Sequence, residues 1–317
     1  MAWGALAIYW SNLPWPFLRL VLAIIFFLFG GWALWRNGKP KVRLAFAVVF
    51  LTVLAWWLMI PASNDRNWRA EVAVVPRAII DGDRITITDV RDFDFRSRND
   101  FTERRVKREV LLSDLVGVDL IVSFWATGPV GHTLVSFIFK NSPPLSISIE
   151  TRPEVGEGFQ PLASMFKTVE LIYLVGTERD LIGHRVVHRN EDMYLFRLQI
   201  SPESARALFL VYLERINQLA DHPEWYHLLT SSCTINIVRY AQAVGKPGGF
   251  NVRHLLNGFI SGYLYDAGFL DTSLPYAEFR ARSNVAQAVR DAYGDPDFSN
   301  LIRKGLPGIP TSELLPQ

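Results

Sequence analysis

Two uncharged apolar runs stand within the first sixty residues, LVLAIIFFLFGGWALW at 20–35 and LAFAVVFLTVLAWWLMI at 44–60. The second is 17 residues long, and residues 16–18 extend the first past Arg19, so each reaches the ~17–25 residues that cross a hydrocarbon layer. In lipid such runs satisfy their backbone only as helices, so residues 1–63 are expected to form a transmembrane hairpin with spans of about 16–35 and 44–60. The loop between them, Arg36-Asn37-Gly38-Lys39-Pro40-Lys41-Val42-Arg43, holds four basic residues in eight, whereas none precedes Arg19. By the positive-inside rule the loop is cytoplasmic and both chain ends face the other side. Arg19 can snorkel outward, and Trp10, Trp15, Trp35, Trp56 and Trp57 fall near the expected interfaces. A cleavable signal peptide is the alternative, but no basic segment precedes the first run and no small-x-small site precedes the second. The expected protein is therefore two-pass, with residues 64–317 as one domain outside the cytoplasm; in a Gram-negative bacterium that makes it an inner-membrane protein with a periplasmic domain.

Outside the hairpin the chain is ordinary in charge. Over all 317 residues, 33 Lys+Arg against 31 Asp+Glu give a net charge of +2, which provides no electrostatic footprint for nucleic acid. With hydrophobic residues at 50%, the chain is too apolar to be disordered. A mean hydropathy of +0.14 is too low for a polytopic transporter. One cysteine in 317 residues excludes an intramolecular disulfide and a multi-cysteine zinc site, so cysteine chemistry rests on Cys233. His184 and His188 stand four apart, but without an acidic ligand, and Gly183 with Val186-Val187 argues against a helix there; surface histidines are expected. No metal or cofactor is implied.

Runs with alternating or β-branched character at 71–80, 84–90, 117–124, 132–139, 145–150, 169–175 and 193–200 read as strands. Turn clusters such as Asp81-Gly82-Asp83 and Asn141-Ser142-Pro143-Pro144 separate them. From Ser201-Pro202-Glu203 the pattern turns helical: a cap, a first-turn proline and early negative charge open an amphipathic helix over 202–220. A second helix starts after Ser231-Ser232 and stops at Gly245-Lys246-Pro247. More helix is expected over 253–265 and 276–292, then an irregular tail from Lys304. The fold class is α+β, with an antiparallel sheet and packed helices.

Cys233 therefore falls in the first turn of a helix, with Ser232 before it and Thr234 after it. Unpaired N–H groups and the helix dipole stabilise a thiolate there, and the same amides can hold an oxyanion. A thiolate nucleophile also needs a base. His132 opens the strand Gly131-His132-Thr133-Leu134-Val135-Ser136, and the next strand sets Ser146, Ser148 and Glu150 on one face. If the two strands pair, Glu150 is the first choice to orient the imidazole and Ser148 the second. Taken alone, His132 and Cys233 fit a structural histidine and a buried thiol at least as well as a dyad. His222 and His227 flank Pro223-Glu224-Trp225-Tyr226 and could line the approach to the cysteine helix, whereas His254 has no evident partner. Arg152 and Arg179 lie in charged clusters whose ordinary role is solvated ion pairing, with a clamp on a lipid phosphate as the alternative.

The ordered set Gly131-His132-Thr133, Ser146-Ile147-Ser148-Ile149-Glu150-Thr151-Arg152, Glu170-Leu171-Ile172-Tyr173, Glu178-Arg179-Asp180-Leu181-Ile182 and Trp225-Tyr226 before Ser232-Cys233-Thr234 resembles the Lnb N-terminal periplasmic domain family. The resemblance implies a circularly permuted papain-like thiol fold, as in the NlpC-like and lecithin:retinol acyltransferase groups. It makes Cys233 the nucleophile and His132 its base. The chemistry it implies is lipoprotein N-acylation through a thioester, from a membrane phospholipid to the amine of a lipoprotein. Where the family reads Asn-Cys-Thr-Thr, this chain has Ser232-Cys233-Thr234-Ile235, which bears on any part an asparagine plays in the oxyanion hole. Two other functions fit the same residues: a thiol hydrolase of phospholipid esters or peptidoglycan peptides, and a non-catalytic membrane-anchored binding module.

Overall fold

The computed structural model describes residues 1–37, 39–158, 160–243 and 251–309. The stop signal at Gly245-Lys246-Pro247 and the end of the tail lie outside them. The chain forms two compact units: one gathers Met1–Arg69, Thr151–Leu171 and Pro223–Leu229, the other Ala70–Glu150, Ile172–His222 and the residues from Thr230 onward.

In the first unit, helices α1 (Ala2–Tyr9), α2 (Pro16–Gly31) and α3 (Pro40–Met59) follow one another. Proline occupies the first residue of α2 and of α3, where its missing N–H costs nothing. The helical stretches Pro16–Arg36 and Pro40–Met59 are long and apolar enough to cross a membrane. Of its own residues α3 buries Phe46 alone, leaving Leu44, Val48, Leu51, Leu58 and Met59 outward, whereas a soluble core helix would hide them. Helix α1 was not expected from the sequence. Ala5 and Ile8 pack on Ala23, Phe26 and Phe46, and Gly4 admits the Phe26 ring so closely that a Cβ would sit 2.6 Å from it. At the end of α3 the Lys167 ammonium donates to the carbonyls of Trp57, Leu58 and Ile60 at 2.9–3.1 Å. The Trp225 indole N–H donates to Ile60 as well, at 3.2 Å.

The second unit is built on strands β1 (Arg77–Asp81), β2 (Arg84–Arg91), β5 (Arg105–Leu111), β6 (Leu115–Phe124), β7 (His132–Phe139), β8 (Leu145–Arg152), β9 (Glu170–Gly176) and β10 (Asp192–Arg197). They form one sheet in the order β1-β2-β9-β8-β7-β6-β10, with β5 on β2. The short pair β3 (Asp94–Phe95) and β4 (Phe101–Thr102) stands apart from it. The pairings β1–β2, β2–β5, β6–β7, β7–β8 and β6–β10 are antiparallel, and β2 meets β9 in parallel only at Arg91 and Gly176. Helices α5 (Pro202–Asp221) and α6 (Cys233–Ala243) cover one face, where Phe137 packs on Phe209 and Tyr212. On the other face Ile121, Leu134 and Leu195 meet Val186, Val289, Phe298 and Ile302, brought by α4 (His184–Val187), α9 (Ala286–Ala292), α10 (Phe298–Leu301) and the turn after it.

Most strands and both long helices of this unit lie where the sequence pattern places them; five segments differ. The expected strand over 71–80 begins only at Arg77, because Pro76 lacks the N–H a ladder needs, and Ala70–Val72 is a 3-10 turn. Strand β5 carries Arg108 beside Val106 and Val110, with Arg105, Lys107 and Glu109 on its other face, so it shows no apolar alternation. The helix expected over 276–292 is two, α8 (Tyr276–Arg282) and α9, because residues 283–285 leave the helix to bond β10: Leu195 N–H to Ser283 and Val285 N–H to Met193. Expected helix over 253–265 is two 3-10 turns, then α7 (Ile260–Asp266). The segment around His184 and His188 is helical after all, a π turn Arg179–Gly183 running into α4. Gly183 there allows the Tyr293 ring to approach where a Cβ would lie 2.8 Å away, so the glycine serves packing rather than ending the helix. Neither histidine is a bare surface group: His184 stacks on Phe95 and His188 bonds the Tyr293 hydroxyl at 3.1 Å.

Candidate active site

The Ser232 carbonyl accepts the Asn236 N–H at 3.0 Å, which makes Ser232 the residue before α6 and Cys233 its first helical residue. The Cys233 and Thr234 amides thus belong to the turn that has no intrahelical acceptor. Thr234 is anchored through its hydroxyl, 2.9 Å from that of Thr133 on β7. That bond ties the start of α6 to the strand residue beside His132. The Cys233 sulfur is buried, 3.8 Å from the Thr234 hydroxyl and 3.8 Å from the Asn257 side-chain nitrogen. Asn257 is itself fixed, because its amide exchanges two hydrogen bonds with the backbone of Gly131, at 2.8 and 2.7 Å.

His132 stands at the start of β7. The register Leu134↔Ser148, continued by two residues, sets it opposite Glu150. Its Nε2 lies 2.7 Å from the Ser148 hydroxyl, and that hydroxyl donates to Glu150 Oε1 at 2.7 Å. A hydroxyl has one proton, and Ser148 gives it to the carboxylate. It must therefore accept from Nε2–H, which leaves Nδ1 as the basic nitrogen of the neutral ring. Glu150 also receives Arg185 at 2.5 Å, Arg185 reaches Glu191 at 3.3 Å, and Glu191 takes the Ser123 hydroxyl and pairs with Arg189. Ser148 is thus the direct partner of the imidazole and Glu150 stands behind it, 3.5 Å from Nε2.

The electrostatics favour a thiolate. Burial pushes the Cys233 thiol up, but the charge and hydrogen bond of His132, with bonds from Thr133, outweigh it and bring the pKa from 9.0 to about 6. Burial likewise pushes Glu150 up, yet the Arg185 and His132 charges and the Ser148 bond hold it well below the usual carboxylate range. Arg185 is raised despite its burial because Glu150 and Glu191 flank it. A buried thiolate beside an imidazole, with free amides at a helix start, is the equipment of nucleophilic catalysis.

The other residues singled out from the sequence lie elsewhere. Arg152 is buried, donating to Asn64 at 2.7 Å and lying over the Trp68 ring, so it is neither solvated nor open as a phosphate clamp. Arg179 pairs with Asp92 and Asp94, and its neighbours Glu178 and Asp180 are buried against Arg303 and Arg91, which their tertiary partners require and local sequence does not reveal. His222 is exposed, and His227 Nδ1 accepts the Leu229 N–H. His254 does have partners: it accepts the Asn251 N–H and meets the Tyr263 ring edge-on. Asn257 was missed; its only sequence signal is an Asn-Gly pair, which reads as a turn. Among the described residues no group of three or more His, Cys, Asp or Glu side chains could hold a metal ion.

The second unit therefore carries a cysteine–histidine site at the end of an antiparallel sheet. A family model described as the Lnb N-terminal periplasmic domain matches residues 101–259, half of the chain, and the chain belongs to that family. The matched stretch holds Cys233, His132, Ser148, Glu150 and Asn257. A periplasmic domain and two apolar N-terminal helices fit a membrane-anchored protein. No curated protein and no solved structure matches the chain.

Proposed function

We propose that this is a membrane-anchored, cysteine-dependent acyltransferase on a permuted papain-like thiol site. It takes the acyl group of a membrane phospholipid and passes it through a Cys233 thioester to the amine of a lipoprotein. The observation that carries the reading is the Cys233 thiol, drawn down to a pKa of about 6 beside an imidazole whose far nitrogen is held by Ser148. Family membership supports the acyl chemistry, and tethering to a bilayer supplies lipid at high effective concentration.

In the first half-reaction His132 holds the thiol proton and the Cys233 thiolate attacks the ester carbonyl. The new C–S bond sends the carbonyl electrons onto oxygen. On collapse the C–O bond breaks, and His132 delivers its proton to the departing alcohol. In the second half an amine attacks the thioester and gives its proton to His132; the C–S bond then breaks and the thiolate is restored. Asn257 gives one N–H to Gly131 and points its nitrogen at Sγ from 3.8 Å, from where that second N–H can pass to the oxyanion, which is bound to the carbon next to Sγ. That amide, with the Cys233 N–H, takes the place open to an asparagine before the cysteine, where this chain has Ser232.

The test is the pH dependence of Cys233 alkylation in the detergent-solubilised protein, followed by intact mass after incubation with phospholipid. Expected are a midpoint near 6 that moves up in His132→Ala, and an acyl-sized mass gain that is absent in Cys233→Ser. An inert thiol indifferent to His132 overturns the reading, and fatty acid release without any amine acceptor converts it to hydrolysis.

A further inference from the structure

Helix α6 presents a second feature to the sheet besides its nucleophile. Thr234, Val238 and Ala241 recur at helical spacing, so they form a stripe that starts one residue after Cys233 and continues for two turns, ~10 Å. The stripe lines a cavity of about 80 Å³ whose other walls include Leu120 of β6, Val135 of β7, Leu208 of α5 and Leu264 of α7. Along β7, Thr133 and Val135 share a face: Thr133 holds Thr234 at the nucleophile, and Val135 is the next step into the cavity. Among the described residues the lining holds no charged side chain; Ser204, Gln242 and Tyr263 contribute polar atoms to an otherwise apolar wall, and the Thr234 hydroxyl at its head is already bonded to Thr133. Water gains little in such a space, whereas methylene groups gain burial.

We infer that this cavity is the acyl-chain subsite, receiving the methylenes nearest the thioester carbonyl when an acyl group is carried on Cys233. The assignment rests on the acyl-transfer reading and deepens it. The volume is about half of the ~150 Å³ apolar cavity that accommodates benzene, so the subsite holds the start of a chain and not its whole length. The remainder leaves through the open side of the cavity. The ligand class is a saturated acyl ester, and selection acts on the first several carbons rather than on the headgroup.

The experiment loads the full-length, detergent-solubilised protein with p-nitrophenyl acetate and p-nitrophenyl decanoate, following nitrophenol release and the intact mass of the acyl-enzyme. The wild type is expected to load the decanoyl group about tenfold or more faster than acetyl, as methylene discrimination in apolar pockets allows. Ala241→Phe, which fills the stripe, should abolish that preference, and a cooperative thermal melt read by circular dichroism reports separately that the variant is folded. Leu264→Ala, which widens the opposite wall, should strengthen the preference and decides the matter if the larger side chain prevents folding. A chain-length preference that is absent in the wild type, or unmoved in the folded variants, overturns the subsite and leaves the acyl-transfer reading intact. If no ester loads Cys233, both fall.

Discussion

One face of the sheet carries two buried ion networks, separated by the apolar pair Ile121 and Leu134. In the first, Arg303 bonds both Asp119 and Glu178, Arg197 adds a second bond to Asp119, and the Ser136 hydroxyl donates to Glu178. Two carboxylates meet two guanidiniums, and every member is buried. The second network uses the same pieces: Glu150 and Glu191 meet Arg185 and Arg189, with Ser123 and Ser148 as hydroxyl partners. It too is balanced, but it continues through Ser148 to His132 and so to Cys233. Glu150 is bonded by Arg185 and reaches the His132 ring through the Ser148 hydroxyl, with 3.5 Å between its carboxylate and Nε2. One kind of cluster thus serves as a structural tie mid-strand and as a positioning device where the strand ends against a helix start.

The comparison is broken most forcefully at Arg303. Arg303→Met removes the guanidinium from the buried Glu178 carboxylate and leaves it the Ser136 hydroxyl, and a stability loss of about 3–5 kcal/mol is expected by chemical denaturation. The alkylation midpoint of Cys233 should stay near 6 in the same variant, since the groups that lower the thiol are His132 and Thr133. Ser148→Ala cuts the second network at its one hydroxyl link. Thioester formation should fall about tenfold to a hundredfold while stability drops only ~1 kcal/mol, and a variant that loads at the wild-type rate would remove Ser148 from the mechanism. The smallest effect concerns His184, a neighbour of the second network. Burial and the charges of Arg189, Arg185 and Arg91 lower its pKa from 6.5 to about 3. The unfolded chain therefore binds a proton in that window that the folded chain refuses, and stability falls as pH drops from 6.5 toward 3. His184→Phe should flatten this acid limb in melts at pH 7 and pH 4, leaving Cys233 reactivity unchanged.

The parts of this arrangement that were legible in the sequence are those with a local signature. Strand alternation marks β7 and β8, Ser201-Pro202-Glu203 marks the start of α5, and two serines before a β-branched run mark α6. From those alone, Cys233 and His132 stand out, and Glu150 and Ser148 share a face. What stayed hidden is held by tertiary contacts. Arg185 lay in a segment whose glycine and valines argued against helix, and only packing against Tyr293 and the apolar face of the sheet makes it one. Asn257 comes from residues far along the chain and reaches the site by pairing with Gly131, a contact no local pattern encodes. Strand β5 was hidden because its charges obscure the period, as pairing with β2 compensates for what its side chains do not.

The lysine at the end of α3 has a mechanical consequence. The last carbonyls of an apolar helix need donors, and here one ammonium and one indole supply them from segments far along the chain. The point where the helix stops is therefore set by where Lys167 and Trp225 are held. If α3 crosses a bilayer, a mismatch in thickness falls on tilt of the helix or on strain in the lipid around it, because the helix cannot gain or lose a turn at this end without leaving charge-assisted bonds unmade. Its angle to the membrane normal would then report bilayer thickness, as a ruler of fixed length does.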